Sequence, residues 1–519
     1  MPFGSKFGGT ARPVLVWIVH ILAVIIFLVL LLILNRVLGL SKYIPSRFPI
    51  LQHTWLPLLG LLVYLLGWNI YWLFFIPAEP TRRFPEIDEA WDEALQTLNR
   101  IRIDLTDRPL FLILGHPEAK EENLFEAADM DLVVPKTPDR TDAWLHVYAN
   151  RDENPDNQAI YVTCSKVSLM GKLATRMALE DMTEWERRDG NASSGKTLGP
   201  GELGAMRVMR DLHSNRENQG NAKPKTALYN RNLRRYVDEP IPDLRQEQTI
   251  IKEYSDRLSY LCERIVADRS PFCGINGILI LLPLVASDTE DDASQAAECM
   301  KQDLQTVRES IGVCCPVFVL LTDLETTWGF TEYVCQRAPE ERLERIGQRF
   351  PLKTDLDPEA LAKQIGDSVS WMCTQRLRED WVRDFFKVES QSGDDVEELT
   401  QRNARLFRLL EMMELRQQHL ANILQRGIVS EASGRSGVWE PWLYGGLYLA
   451  ATGNDKDTEQ GFVLGVLNRL NETQMFVSWT QDKIYKNKID GVQAKVGFVL
   501  IGAAWILLLI ILIWRLWYS

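Results

Sequence analysis

The sequence lacks the marks of several function classes. Its eight cysteines include no C-x-x-C pair, and Cys314 directly precedes Cys315. That arrangement suits neither a disulfide framework nor a zinc ribbon, so reduced, buried thiols are expected. The six histidines (His20, His53, His116, His146, His213 and His419) show no ligand spacing with cysteine or carboxylates, and no metal site is predicted. Basic residues number 58 against 70 acidic ones, a net charge of -12. That deficit excludes nonspecific nucleic-acid binding by bulk charge. No internal repeat is present. Cys164 and Ser165 have no evident histidine partner, which leaves nucleophilic catalysis unsupported.

Charge is missing altogether from three runs: Pro13–Leu34, Trp55–Ile76 and Val496–Trp514. Each reaches the roughly 20 apolar residues that a bilayer core of about 30 Å requires. Trp17, Trp55, Trp72, Trp514, Trp517 and Tyr518 sit near their ends, as interfacial aromatics do. Three transmembrane helices are therefore predicted, over about 13–34, 55–76 and from 496 to the end. Lys6, Arg12, Arg82, Arg83, Lys483, Lys486, Lys488 and Lys495 flank the outer sides of the hairpin and the third run, against Arg36, Lys42 and Arg47 between the first two. The larger basic total places the N-terminus and the central module in the cytoplasm. His20 and Asn69 are polar at membrane depth, where helix packing or an interfacial role competes with function.

The central module reads as α/β. Ile87, Trp91, Leu95, Leu98 and Ile101 recur at helical spacing, giving an amphipathic helix after the proline cluster Pro77, Pro80 and Pro85. Pro109–Gly115, Trp144–Tyr148, Ala159–Cys164, Gly277–Leu282 and Pro316–Leu321 read as strands, with helices at Tyr254–Ile265 and Ala296–Ile311 between them. Alternation of this kind indicates a mostly parallel sheet covered on both faces. Residues 186–225 are rich in Gly, Asn, Ser and Arg and read as a flexible insertion. Beyond Pro358 the pattern is mainly helical. A long helix is predicted from about Asp394, capped with Glu397, to Gln425, with Gly427 able to end it. Tyr444–Leu449 reads as a further strand. The predicted domains are 1–76, 77–357, 358–495 and 496–519.

One full P-loop pattern exists: Gly190, Gly195, Lys196 and Thr197 fit G-x-x-x-x-G-K-[ST]. The motif works only when a strand delivers it and a helix follows, so that N–H groups converge on phosphates. Glu184–Asp189 is no buried strand, and Leu198–Gly201 starts no helix, so the match reads as a decoy. The right context lies after the strand at Leu110–Leu114. There Gly115 fits the first glycine, but Lys120 stands at the second glycine, Glu121 at the lysine and Glu122 at the hydroxyl. A carboxylate in the ammonium position repels phosphate. Glu118, Glu121 and Glu122 read as a solvated loop face in preference to an acidic site. A base-reading N/T-K-x-D is expected after Val317–Leu321, where the chain has Thr322, Asp323, Leu324 and Glu325.

Taken with the topology, these residues resemble the TssM/IcmF inner-membrane component of type VI secretion systems. The strand and loop Leu112–Pro117 resemble the family's nucleotide loop. Ile275–Ile280 resembles its N-G-(V/I) strand, and Thr322–Phe330 its T-K-x-D-L-L-x-G-F stretch. The resemblance implies a P-loop GTPase-like fold with degenerate nucleotide loops, a helical extension and the three membrane helices. Because the nucleotide residues are lost, no enzymatic activity, catalytic residue or cofactor is carried over. It further implies an oligomeric, non-enzymatic scaffold in the bacterial inner membrane, with a TssL/DotU-like subunit and baseplate proteins as partners. The chain stops shortly after the third run, at Arg515–Ser519, where family members continue into a periplasmic domain. A shortened member is therefore expected. Two other readings stay open: a membrane NTPase using Gly190–Thr197, and a membrane sensor unrelated to secretion.

Overall fold

The computed structural model describes residues 11–39, 54–67 in part, 83–178, 248–390, 396–429 and 439–495, a few single positions within these ranges excepted. The chain divides into two units, Met1–Thr81 with Asn487–Ser519, and Arg82–Lys486. In the first unit, α1 runs Ala11–Val37. Among the described residues no helix is long and apolar enough to cross a membrane, which overturns the three predicted transmembrane helices. The predicted run at 55–76 lies largely, and that from 496 wholly, outside the described residues. Asn69 and the side chain of His20 lie outside them too.

The second unit is built on an eight-stranded sheet. Its strands are β1 (Leu110–Leu114), β2 (Leu132–Thr137), β3 (His146–Asn150), β4 (Ile160–Thr163), β5 (Gly277–Pro283), β7 (Pro316–Thr322), β8 (Ile346–Gly347) and β9 (Leu443–Leu449). The short β6 (Val313–Cys314) pairs instead with a two-residue strand at Ser478–Trp479. The order across the sheet is β2-β3-β4-β1-β5-β7-β9-β8. Strands β4, β1, β5, β7 and β9 are parallel, and β2, β3 and β8 run against their neighbours. After β1 the chain builds β2, β3 and β4 on one side, then β5, β7 and β9 on the other. The carboxyl end of β1 is thus the switch point where open α/β sheets form their crevice.

The central strands are apolar at every position because both faces are covered. Alternate residues divide between two cores: Leu110, Leu112, Leu114, Ile278, Ile280, Val317 and Val319 face one, and Phe111, Ile113, Leu279, Leu281, Phe318 and Leu320 the other. The first face is covered by α2 (Pro85–Arg100), α5 (Gln248–Arg269), α6 (Glu290–Ile311) and α10 (Val396–Ile428). The second is covered by α3 (Glu122–Glu126) and α11 (Leu464–Glu472). Between these lie α4 (169–178), α7 (Phe330–Cys335), α8 (Pro358–Ser370) and α9 (Leu377–Ser390).

Local chemistry explains several boundaries. Helix α2 starts with Pro85 at its first turn and Glu86 and Asp88 beside its N-terminal dipole. Its apolar stripe, Ile87, Trp91, Ala94 and Leu98, is fully buried in the core. The Trp91 indole donates to Asp268 at 2.8 Å, and the Tyr260 hydroxyl to Asp88 at 2.8 Å. Helix α6 is capped by Thr289, which accepts from the Asp292 amide, and ends at Gly312 with φ 74°. Gly427 lies within α10 and is a packing residue, since a Cβ there would stand 2.6 Å from Met300 Sδ on α6. Asp394 lies outside the described residues. Strand β2 was not read from the sequence: it is an edge strand interrupted by Pro135 and only half buried.

Candidate functional site

At the carboxyl end of β1 the loop that follows meets β3 and β4 and the turn after β7. Gly115 has φ 92°, and a Cβ there would lie 2.5 Å from the Leu281 carbonyl oxygen. Glycine is therefore required both by backbone conformation and by close approach to β5. Three contacts tie the following loop down. His116 Nε2 is 2.8 Å from Thr175 Oγ1 on α4, while its Nδ1 faces the Pro117 carbonyl at 2.7 Å. The Glu118 amide donates to Asp323 Oδ1 at 2.7 Å. Glu121, the last residue before α3, turns toward β3 and β4.

Glu121 is the centre of this arrangement. Its Oε2 lies 2.9 Å from His146 Nδ1 and accepts from Thr163 Oγ1 at 2.9 Å and from the Tyr148 hydroxyl at 3.3 Å. Ser165 bonds the same carboxylate. His146 pairs directly with Thr163 in the β3–β4 register, and strand alternation sets Tyr148 on the same face two residues on. The other ring nitrogen of His146 faces the Arg140 carbonyl at 3.1 Å. The side chains of His146 and Glu121 are 4% and 14% exposed. Burial alone would raise the Glu121 carboxyl, but the hydrogen bond and charge of His146, with Ser165 and His116, hold it well below the usual carboxylate range.

The turn after β7 holds the second pair of carboxyls. Asp323 adopts φ 62° and is buried. Burial pushes its carboxyl up to about 6 against the opposing Glu118 amide, Thr322 hydroxyl and His116. Glu325 is raised well above its ordinary value by burial and then by the Asp323 charge. It accepts from the Thr452 amide and hydroxyl, both at 3.4 Å, in the short strand that follows β9. Asn123 reaches the same strand, donating to the Thr452 and Gly453 carbonyls at 3.2 and 2.7 Å.

The residues predicted from sequence are thus partly gathered. Gly115 and Glu121 lie at the two ends of the loop after β1, which the Glu118 amide ties to Asp323, and Thr322 bonds Asp323 at 3.1 Å. Lys120 points to solvent, and Glu122 pairs with Lys136 at 2.7 Å. Among the three loop carboxylates, Glu121 is internal and does not belong to a solvated face. Gly190, Gly195, Lys196 and Thr197 lie outside the described residues. His146, Tyr148, Thr163, Asn123 and Thr452 were not recognised in the sequence. The only signal was a polar residue, His146, at a buried strand position, and its partner lies 25 residues away.

The residues at this loop differ from those of a phosphate-binding loop. A carboxylate stands where an ammonium would meet the phosphates, and the hydroxyl position is a glutamate already engaged by Lys136. Cys164, beside the cluster, is fully buried, and burial pushes its thiol well above the ordinary range. Among the described residues no group of three His, Cys, Asp or Glu side chains could hold a metal ion.

Comparison with curated proteins and with solved structures found no match. A family model does match: residues 254–464 correspond to the IcmF-related N-terminal domain. The matched segment begins within α5 and ends at the start of α11. It includes the turn at Asp323 and the helices α8 to α10, and it leaves out the loop at Glu121. This match supports a relation of the chain to the IcmF family of secretion-system components.

Proposed function

We propose that the chain is a non-enzymatic scaffold of a type VI-like secretion complex at the bacterial inner membrane. Its α/β unit acts as a pseudo-GTPase on the cytoplasmic side and docks a TssL/DotU-like subunit and baseplate proteins. The IcmF-related segment supports the secretion assignment. The observation that carries the pseudo-GTPase reading is the position of Glu121. A strand, a glycine turn and a helix stand at the switch point of a parallel sheet, where phosphates are bound in nucleotide-binding folds. In this chain an anionic side chain, locked to His146 and Thr163, faces the position of the ligand's charge. A folded module that keeps the architecture and loses the phosphate site is suited to presenting surfaces.

The test has two arms. Calorimetry on the full chain in mild detergent with GTP or ATP and magnesium is expected to give no binding heat up to millimolar nucleotide. Binding that Lys196→Ala removes would instead favour an NTPase using Gly190–Thr197. Affinity purification from native cells is expected to recover other secretion-apparatus subunits. Recovery of the chain without any of them defeats the scaffold reading.

A further inference from the structure

The amino end of the large sheet carries apolar side chains that the packing of the unit does not use. The segment 473–480, after α11, is fixed there by three links. The Asn276 side-chain amide, just before β5, donates to the Gln474 carbonyl at 3.3 Å. Ser478–Trp479 pairs with β6, and the Thr480 amide donates to the Gly312 carbonyl at 3.1 Å. Thr473 and Thr480 are buried, and Val477 packs against the core. The side chains of Met475, Phe476 and Trp479 take no part in this anchoring and face outward, 85%, 52% and 49% exposed. Phe272, 55% exposed, joins them from the loop before β5. Its amide donates to the Arg269 carbonyl, and the Arg269 guanidinium reaches Asn276 Oδ1 at 3.3 Å, on the residue that holds Gln474. Tyr485, 65% exposed, follows on the helix that begins at 481. Single exposed apolar side chains are ordinary, but several large ones on two linked loops form a patch of the kind that marks an interaction surface.

We infer that this patch is a lipid contact: Phe272, Met475, Phe476 and Trp479 enter the headgroup layer of an anionic bilayer, with Lys483 and Lys486 at its rim. Three observations select lipid as the occupant. The first is composition, since Trp and Tyr with neighbouring Phe and Met are the side chains that settle at headgroup level. The second is charge. The whole chain carries -12, yet 481–495 holds Lys483, Lys486, Lys488 and Lys495 against Asp482 and Asp490. Lys483 lies along Gly312, where a Cβ would stand 2.8 Å from its Cδ, so one of these lysines sits beside the strand of Trp479. Nearby acids are engaged: Glu472 pairs with Arg469 at 2.7 Å, and Glu440 accepts from the Gln481 amide at 2.7 Å. Lysines beside exposed aromatics suit an anionic headgroup layer. The third is chain continuity, because only 16 residues, 480–495, separate Trp479 from the charge-free run that starts at Val496. The inference rests on the reading of the chain as an inner-membrane component and adds which face of the α/β unit meets lipid. The loop after β1 and the turn at Asp323 lie at the opposite end of the same sheet, which this orientation leaves clear for protein partners.

The test is photocrosslinking of the full chain in native membranes. Met475, Phe272 or, as the control at the opposite end of the sheet, the exposed Lys120 is replaced by the photoreactive p-benzoylphenylalanine. Irradiation is expected to give phospholipid adducts at Met475 and Phe272, read as mass increments on the corresponding peptides, and none at Lys120. Adding Phe476→Glu should lower the lipid adduct at Met475 severalfold and leave the denaturation midpoint unchanged, because that side chain is half exposed. In reconstituted vesicles the Met475 yield should be higher with phosphatidylglycerol present than with phosphatidylcholine alone, and the excess should vanish in 1 M salt, where the Debye length is about 3 Å. Protein adducts in place of lipid, equal lipid yields at all three positions, a yield that Phe476→Glu does not move, or equal yields in the two lipids overturns the inference. A chain that does not fractionate with membranes at all defeats instead the inner-membrane reading on which it rests.

Discussion

Replacing Glu121 by glutamine should cost the protein stability in a way that depends on pH. The substitution keeps the shape and removes the charge. Both ring nitrogens of His146 face acceptors, Glu121 at 2.9 Å and the Arg140 carbonyl at 3.1 Å, and with the ring held as imidazolium by that arrangement the Coulomb attraction to Glu121 would be about 6 kcal/mol at an effective dielectric of 20. Much of that is offset by desolvation of the two groups, so the pair's net worth is smaller. Leaving one member of a buried pair without its partner typically costs about 3–5 kcal/mol. The glutamine oxygen can still accept from Thr163 and Tyr148, which places the expected loss near the lower end, about 3 kcal/mol. Denaturant unfolding of the full chain at pH 7 measures it directly. The sign with pH follows from the depressed Glu121 carboxyl. Its contribution is complete above the unfolded carboxylate pKa of about 4.3 and fades as pH falls below that value. The difference between the two proteins should therefore shrink at pH 3.5. Equal stability at pH 7, or a difference that stays constant down to pH 3.5, refutes the internal ion pair as the element that secures the loop.

Two further outcomes follow from the same packing. Asp303 on α6 is fully buried and accepts from the Leu169 and Met170 amides at 3.0 and 2.8 Å, capping α4 from outside. Burial pushes its carboxyl up to about 7, so the folded state holds a proton that the unfolded chain has released. Stability should fall as pH rises from about 4 to 7, with a slope approaching 1.4 kcal/mol per pH unit, and Asp303→Asn should flatten that slope in a urea series. Gly171→Ala would set a Cβ 1.9 Å from the Ser165 carbonyl oxygen, a backbone atom that cannot yield cheaply. The variant should lose more than about 3 kcal/mol, seen as a lowered denaturation midpoint, whereas an exposed helical substitution such as Glu298→Ala should stay within about 0.5 kcal/mol.

What the sequence determined by itself is the framework of the α/β unit. Leu110–Leu114, Gly277–Leu282 and Pro316–Leu321 are apolar at every position, and only strands covered on both faces need that pattern. Helical periodicity likewise located α2, α5 and α6, because a 3.6-residue stripe is a local property of the chain. Composition alone predicted three transmembrane helices, and no described helix meets the length and apolarity that crossing requires. The tertiary structure alone decided the rest. It drew β9, more than 120 residues after β7, in beside that strand, and placed Pro135 on an edge where a missing N–H costs little. It turned Gly427 from a helix terminator into a contact surface for Met300. Above all it gave Glu121 its meaning. In sequence this residue is an error at a lysine position. In space it is an anion seated among His146, Tyr148, Thr163 and Ser165, a relation that no local pattern encodes, because the donors reach it only once β3 and β4 pair beside β1.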